Sequence, residues 1–517
     1  MTTRELVLVA YGLANAVLYS SLLPLWEGFD EPFHFGYVQN LANGYGLPDA
    51  RTARLSREVA ASILLAPASH VVKQNLPQVT SYSEYFSWPV ERRRQVQQRL
   101  WAIPPALRWH TSEFLNYEAH HPPLAYLILS VPERLLEGAS LPKRVLALRI
   151  IAAVASALLL HAGAARLFSE LRVADPYRSL AMFCLLSSQM TWATLAHVAN
   201  DWLAVPTSIW ALVALIRYGN LPNPRNAALM AVFLSLGLLT KAYFLAVVPL
   251  GLALSVFRRR WRELGLTIVL ISTLAGPWYA RNFILYGELT NMQESRGGLD
   301  VAAMLDGATR LKWMSMIPSS AREALWTGNN TLRTFSANTL NLMLWLSLAA
   351  LFLWLAARHE AAELIVLAYC LLYILALAYV SVLTYLYTPG GRAGPSPWYT
   401  QVLFAPMLAL MFLGAMRWRR IGGVVGLGIG LLFGYVLAAT YAAKLIPLYA
   451  GDEGRMPLVK FVQLYAYDAS RLTTNLDCTA LAPARGIFIV AGIVISMIVV
   501  QQIMFVRCIV QAKLRAK

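Results

Sequence analysis

The stretch Gly28-Phe-Asp-Glu-Pro-Phe-His34 places two carboxylates and an imidazole directly after an apolar segment. That segment, Leu6 to Leu25, is long enough to cross a bilayer at about 1.5 Å per residue. Ionisable side chains at a membrane boundary are costly, so they read first as a working site. The plain alternative is a solvated loop start, but Pro32 stiffens the turn and Phe29, Phe33, Phe35 and Tyr37 surround the acids with rings. A carboxylate so placed can take a proton from a hydroxyl. Two further polar runs could join it: Tyr117-Glu-Ala-His-His-Pro-Pro123, with His120 and His121, and Asn200-Asp201, preceded by His197. Three cations interrupt apolar or glycine-rich sequence, namely Lys241, Arg281 and Arg392. Each alone reads as a snorkelling cation. Three on the side that carries the acids suit an anion such as a phosphate.

Composition sets the frame that must position these groups. The chain has 517 residues, 58% hydrophobic and only 14% charged, against about 25% charged in soluble domains. We read an all-α polytopic membrane protein with about twelve crossings, near 5–25, 145–166, 178–198, 203–217, 226–240, 243–257, 264–281, 338–357, 362–384, 401–416, 422–443 and 486–506. The net charge of +17 gathers in short basic clusters, Arg258 to Arg262, Arg417 to Arg420 and Arg507 to Lys517, at segment ends. That pattern marks the cytoplasmic side of a membrane rather than a nucleic-acid surface, and the loops hold basic residues for anionic membrane lipids. The first segment has no small-residue cleavage site and is expected to stay as an anchor. Four scattered cysteines, Cys184, Cys370, Cys478 and Cys508, imply no disulfide framework.

One stretch decides the topology. Pro122 to Leu136 is apolar but short, broken by Pro132 and followed by Glu133 and Arg134. Read as a helix lying in the interface, it leaves Arg166, Arg172, Arg178 and Arg258 to Arg262 inside; read as a crossing, it reverses everything after it. We take the interfacial reading. It places a large first loop, 26–144, outside, with 282–337 and 444–485. We divide the chain into a membrane region, 1–443, and a segment 444–517 holding the last loop, last crossing and basic tail. The inner loops are too short for a nucleotide-binding domain, and no Walker-type loop is present.

The order of these motifs resembles that of the GT-C glycosyltransferases, relatives of protein O-mannosyltransferases and lipid A aminoarabinose transferases. Asp30-Glu-Pro-Phe-His34 resembles their first-loop acidic motif, and Glu118-Ala-His-His-Pro-Pro-Leu-Ala-Tyr126 their later proline-rich stretch, which opens a juxtamembrane helix. Asn200-Asp201 resembles the second acidic motif, and Trp278 through Gly287 a tryptophan–arginine–asparagine–tyrosine–glycine pattern. The resemblance covers roughly the first 290 residues. Later the chain departs, because Arg392 is separated from Trp398-Tyr399 where many bacterial members pair arginine with tyrosine.

The resemblance implies a GT-C-like bundle with juxtamembrane helices in the first external loop, in a bacterial inner membrane with the site facing the periplasm. It implies transfer of a sugar, hexosyl or pentosyl, from a polyprenyl-phosphate donor to a hydroxyl of a lipid-linked, glycan or protein acceptor, with inversion. Asp30 is then the base, Glu31 orients the acceptor or Asp30, and Asp201 assists. Lys241, Arg281 and Arg392 are expected at the donor phosphate, and His34, His120, His121, Tyr126, Asn200 and Trp278 line the site. Some family members use a divalent metal, for which Asp30, His197 and Asp201 offer Mg²⁺, Mn²⁺ or Zn²⁺ ligands. No His-Glu-x-x-His spacing appears, so no cofactor is assigned. A transporter would need mid-membrane charges and internal symmetry, which the sequence lacks. A polysaccharide polymerase or ligase would not need an acidic pair after the first crossing.

Overall fold

A computed structural model describes residues 2–292, 300–327, 335–387, 394–451 and 457–514. Arg392, Asp452 and Glu453 lie outside the described residues. The chain is an all-α polytopic membrane protein. Among the described residues eight helices are long and apolar enough to span a bilayer: Thr3–Leu22, Leu141–Glu170, Asp201–Asn220, Ala337–Leu355, Ala361–Tyr387, Pro397–Arg417, Arg420–Leu448 and Ala484–Ile509.

The remaining four apolar runs fold less simply than their hydropathy implies. The run at 264–281 is a pair, Trp261–Leu274 and Gly276–Tyr286, bent by 56°. Pro277 explains the bend, since it lacks an N–H and disfavours helix at the residue before it. The run at 178–198 divides into Tyr177–Leu186 and Gln189–Leu195. There Ser188 Oγ accepts from the Thr191 N–H at 3.2 Å and caps a new helix. Tyr177–Leu186, Pro224–Leu238 and Ala242–Phe257 are apolar but shorter than a full span.

Charges separate to the two ends of the bundle. On the helix Leu141–Glu170, Arg149 pairs with Glu31, whereas Glu170 pairs with Arg217 at 2.7 Å. The helical run from Arg149 to Glu170 covers about 30 Å, roughly one hydrocarbon core. Arg178 with Glu5, and Arg417 with Glu363, close the end opposite Asp30.

The first loop contains short helices and, contrary to a purely helical expectation, a two-stranded antiparallel ribbon, Arg54–Ser56 (β1) against Thr111–Leu115 (β2). Its helix Val90–Trp101 packs on the segment before the last spanning helix, where Arg93 Nη1 donates to Asn475 Oδ1 at 2.8 Å and Gln97 Nε2 to the Asp477 carbonyl at 2.9 Å. The stretch after Pro123 is a single helix, Leu124–Leu135. It turns Leu127, Ile128, Val131 and Leu135 outward and Tyr126, Leu129 and Glu133 inward. Glu133 is not the polar break that its sequence position suggests. It is fully buried, bonded to Arg144 and 3.4 Å from Arg108. Burial pushes its carboxyl up to about 7, against the pull of both guanidinium groups.

Both termini are expected inside and the first loop outside. Single cysteines in a cysteine-free variant test this at exposed positions, Ser83→Cys in the first loop and Ala174→Cys at the other end. The first should react with an impermeant maleimide in intact cells and the second only after permeabilisation. Equal labelling from outside would overturn the topology.

Candidate active site

The site begins where the first helix stops. After Leu22 the chain runs to Asp30 and turns into Glu31–Ala42, with Pro32 in the first turn where its missing N–H costs nothing. Gly28 lies against the imidazole of His197, and a Cβ there would fall 2.6 Å from the ring, so only glycine fits. Phe29 stacks on Trp398 at 4.4 Å and meets His197 edge-on at 5.9 Å.

Glu31 is fully buried, and both its oxygens are taken. Arg149 Nε donates to Oε1 at 2.7 Å, Arg149 Nη2 to Oε2, and the Val198 N–H to Oε1 at 3.0 Å. Arg149 also donates to the carbonyls of Leu23 and Pro24, which a helix end leaves without intrahelical partners. The guanidinium thus joins the first helix, the acidic turn and the segment leading to Asp201. Burial alone would raise the Glu31 carboxyl; Arg149 holds it below its usual range. Its second Nη1 hydrogen faces the Ser20 carbonyl at 3.5 Å, so all five N–H groups of Arg149 are directed at protein oxygens rather than at a phosphate.

Asp30, one residue earlier, is half-buried and takes the left-handed backbone conformation, φ +53°. Its Oδ1 accepts from the Tyr117 hydroxyl at 2.5 Å. Burial, then the Glu118 charge, push its carboxyl up to about 6, while the Tyr117 bond, His197 and Lys241 act in the opposite direction. A carboxylate tuned towards neutrality and left partly open is suited to general-base work.

The turn Tyr117–His120 and the helix Leu124–Leu135 build the adjoining wall. His121 Nε2 lies 2.8 Å from Glu118 Oε2, and His34 Nδ1 3.5 Å from the same oxygen and 2.8 Å from the Tyr126 hydroxyl. Tyr126 stacks on Tyr37 at 4.1 Å, and the Tyr37 hydroxyl donates to the His121 carbonyl at 3.3 Å. Burial pushes His121 down to about 3 and His34 well down. The His120 ring lies tilted against that of His121, centroids 4.1 Å apart, with its Nδ1 at the Tyr117 carbonyl.

Asp201 opens its helix opposite. Lys241, in the turn after Pro224–Leu238, donates to both Asp201 oxygens at 2.7 Å, and its Nζ lies 4.9 Å from the centre of the Tyr399 ring. The pair is buried, so the Lys241 charge is balanced within the protein. Among the described residues His197 and Asn200, both buried, have no hydrogen-bond partner on either ring nitrogen or either amide atom. Arg281 lies over Trp278 at 5.3 Å and donates from Nη2 to the Pro48 carbonyl at 3.0 Å, while its buried Nη1 has no partner among the described residues. Its charge reaches Tyr37, opposing the upward effect of burial there.

The fold therefore gathers Asp30, Glu118, His34, His121, Tyr126, His197, Asp201 and Lys241 at one end of the bundle. Arg281 and Trp278 lie beside them, next to the first loop. Among the described residues no three His, Cys, Asp or Glu side chains are placed to hold a metal ion. Asp30, His197 and Asp201 do not form such a set, and both Asp201 oxygens already receive Lys241. Sequence reasoning passed over Tyr117 and Glu118, although both sit in the run that supplied His120 and His121. It also undervalued Arg149, which nothing in the sequence links to Glu31.

No protein-family model matches the chain, and no curated protein matches it. Among solved structures, that of ArnT from Cupriavidus metallidurans bound to undecaprenyl phosphate is similar over 86% of this chain and 75% of that one, at 14% identity and a TM-score of 0.39.

Proposed function

We propose that the protein is a GT-C-type membrane glycosyltransferase that moves a sugar from a polyprenyl-phosphate donor to an acceptor hydroxyl outside the cytoplasm of a bacterium. The observation that carries this reading is Asp30. It is a half-open carboxylate raised to about 6 at one end of a membrane bundle, one oxygen held by Tyr117 and a buried Asp201–Lys241 pair nearby. The order of the sequence motifs supports the same reading.

In the proposed reaction the acceptor hydroxyl gives its proton to Asp30 as its oxygen bonds to the anomeric carbon. The bond from that carbon to the phosphate oxygen breaks, and the electron pair leaves with the polyprenyl phosphate. A single displacement inverts the anomeric centre. The leaving phosphate needs cationic support more than a proton. Arg281 supplies it from Nη1, which none of the described residues engages. Lys241 contributes its remaining N–H while its charge stays matched to Asp201. Glu31 acts through Asp30 as a positioning group, and the lipid tail of the donor accounts for the membrane setting.

Purified full-length protein incubated with undecaprenyl-phosphate hexosides and pentosides should release undecaprenyl phosphate from at least one of them. Release from none would remove the proposal. Arg281→Ala should weaken undecaprenyl-phosphate binding by roughly ten- to a hundred-fold, the loss of about 1.5–3 kcal/mol expected for a hydrogen bond to a charged group. Its melting temperature should stay near that of the parent. Lys241→Ala should also lower the melting temperature, because it leaves Asp201 buried without its partner. Unchanged affinity in Arg281→Ala would move the phosphate elsewhere.

A further inference from the structure

An aspartate just before a helix ordinarily turns its carboxylate onto the free N–H groups of the first turn. Asp30 holds that position ahead of Glu31–Ala42 and makes no such bond. Its backbone is in the left-handed region, which a residue with a Cβ disfavours. The side chain has been drawn off the helix end and fastened to Tyr117 instead.

Tyr117 is itself braced. Its ring lies 4.3 Å from Phe33, its carbonyl is engaged by His120 Nδ1, and the preceding Asn116 donates from Nδ2 to the Phe33 carbonyl at 3.0 Å. The Asn116 N–H in turn donates to the Ala53 carbonyl at 2.8 Å, tying this turn to the first-loop ribbon. Burial, followed by the charges of Asp30 and Glu118, pushes the Tyr117 phenol well up, so it remains a donor.

We infer that Tyr117 is the positioning residue of Asp30, holding Oδ1 so that Oδ2 is the atom presented to the acceptor hydroxyl. This rests on Asp30 as the base and adds which oxygen reacts and which residue aims it. The groups whose charge or hydrogen bond acts on Asp30 are Tyr117 and Glu118 from one turn, His197 from the segment before Asp201–Asn220, and Lys241 from the turn after Pro224–Leu238. Of these, Tyr117 is the one hydrogen-bonded to the carboxylate.

Tyr117→Phe keeps the ring against Phe33 and removes only the O–H. On the undecaprenyl-phosphate glycoside that the parent turns over, kcat should fall about ten- to a hundred-fold with the donor KM near that of the parent. The acidic limb of the pH–rate profile should move to higher pH, because a donor that favours the carboxylate is gone. A raised KM with unchanged kcat would make Tyr117 a donor-binding residue and overturn the proposal. So would a lowered melting temperature with the limb and kcat unmoved.

A substrate-free measurement separates this proposal from the function itself. The carboxylic C=O band of Asp30 in pH-difference infrared spectra, assigned by its loss in Asp30→Asn, should titrate at higher pH in Tyr117→Phe. An unchanged band would overturn the Tyr117 bond even if Asp30 is the base. Full turnover by Asp30→Asn would instead remove the base and leave the infrared result to decide the bond.

Discussion

Asp30→Asn is expected to lower turnover by about 10²–10⁴-fold, the usual consequence of removing a general base, while undecaprenyl phosphate still binds. The substitution keeps the shape of the side chain and can still accept from Tyr117, so the loss would report basicity rather than folding. In the parent the sign of the pH dependence follows from the raised carboxyl. Below about 6 Asp30 is protonated and cannot take the acceptor's proton; above it the carboxylate is present and the rate should reach a plateau. Asp30→Asn should lose this acidic limb together with the activity. Purified Asp30→Asn turning over within a few-fold of the parent would eliminate Asp30 as the base and make Asp201 the next carboxylate to test.

The second large effect is expected at Arg149. Arg149→Ala removes the partner of a fully buried carboxylate and frees the Leu23 and Pro24 carbonyls from their donor. Breaking a buried ion pair from one side typically costs about 3–5 kcal/mol, because the remaining charge has neither water nor a counter-charge. The variant should express poorly or melt far below the parent, as measured by the temperature at which half of the detergent-solubilised protein stays monodisperse. Replacing both members, Arg149→Met with Glu31→Leu, should recover part of that stability while activity stays low, since Asp30 loses its support. A double variant no more stable than Arg149→Ala would show that the cost comes from the freed carbonyls rather than from the stranded charge. A stable, active Arg149→Ala would dismiss the clasp altogether.

Much of this was legible in the sequence because the bilayer imposes a one-dimensional rule. Backbone groups in hydrocarbon must bond within their own segment, so long apolar runs become helices, and among the described residues eight did so at nearly the expected places. The same rule marks Asp30 and Glu31 as anomalies, since charges are rare beside such runs. It is silent on helix ends, where local chemistry takes over. Ser188 and Pro277 divided runs that hydropathy joined, through a cap and a missing N–H, and both residues were there to be read.

The division of labour between Asp30 and Glu31 could not be read in that way. The two acids are adjacent and chemically almost alike, and only the resemblance told them apart, making Asp30 the base and Glu31 a group that orients the acceptor or Asp30. Tertiary structure separated them by giving each a different partner. Arg149, a hundred residues and more away in the chain, meets Glu31 and takes it out of use; Tyr117 meets Asp30 and leaves it half open. In the same way Lys241 was legible as a cation at a boundary, but its match with Asp201 depends on how two helices pack, and Glu133 looked like a polar stop until Arg144 and Arg108 closed over it. The sequence by itself determined that this is a helical membrane protein with acids gathered beside its first crossing, because hydrophobicity and local propensity act along the chain. Which carboxylate is buried, paired or open was decided only by the tertiary structure, because Coulomb and desolvation energies depend on distances between side chains that the order of residues does not contain.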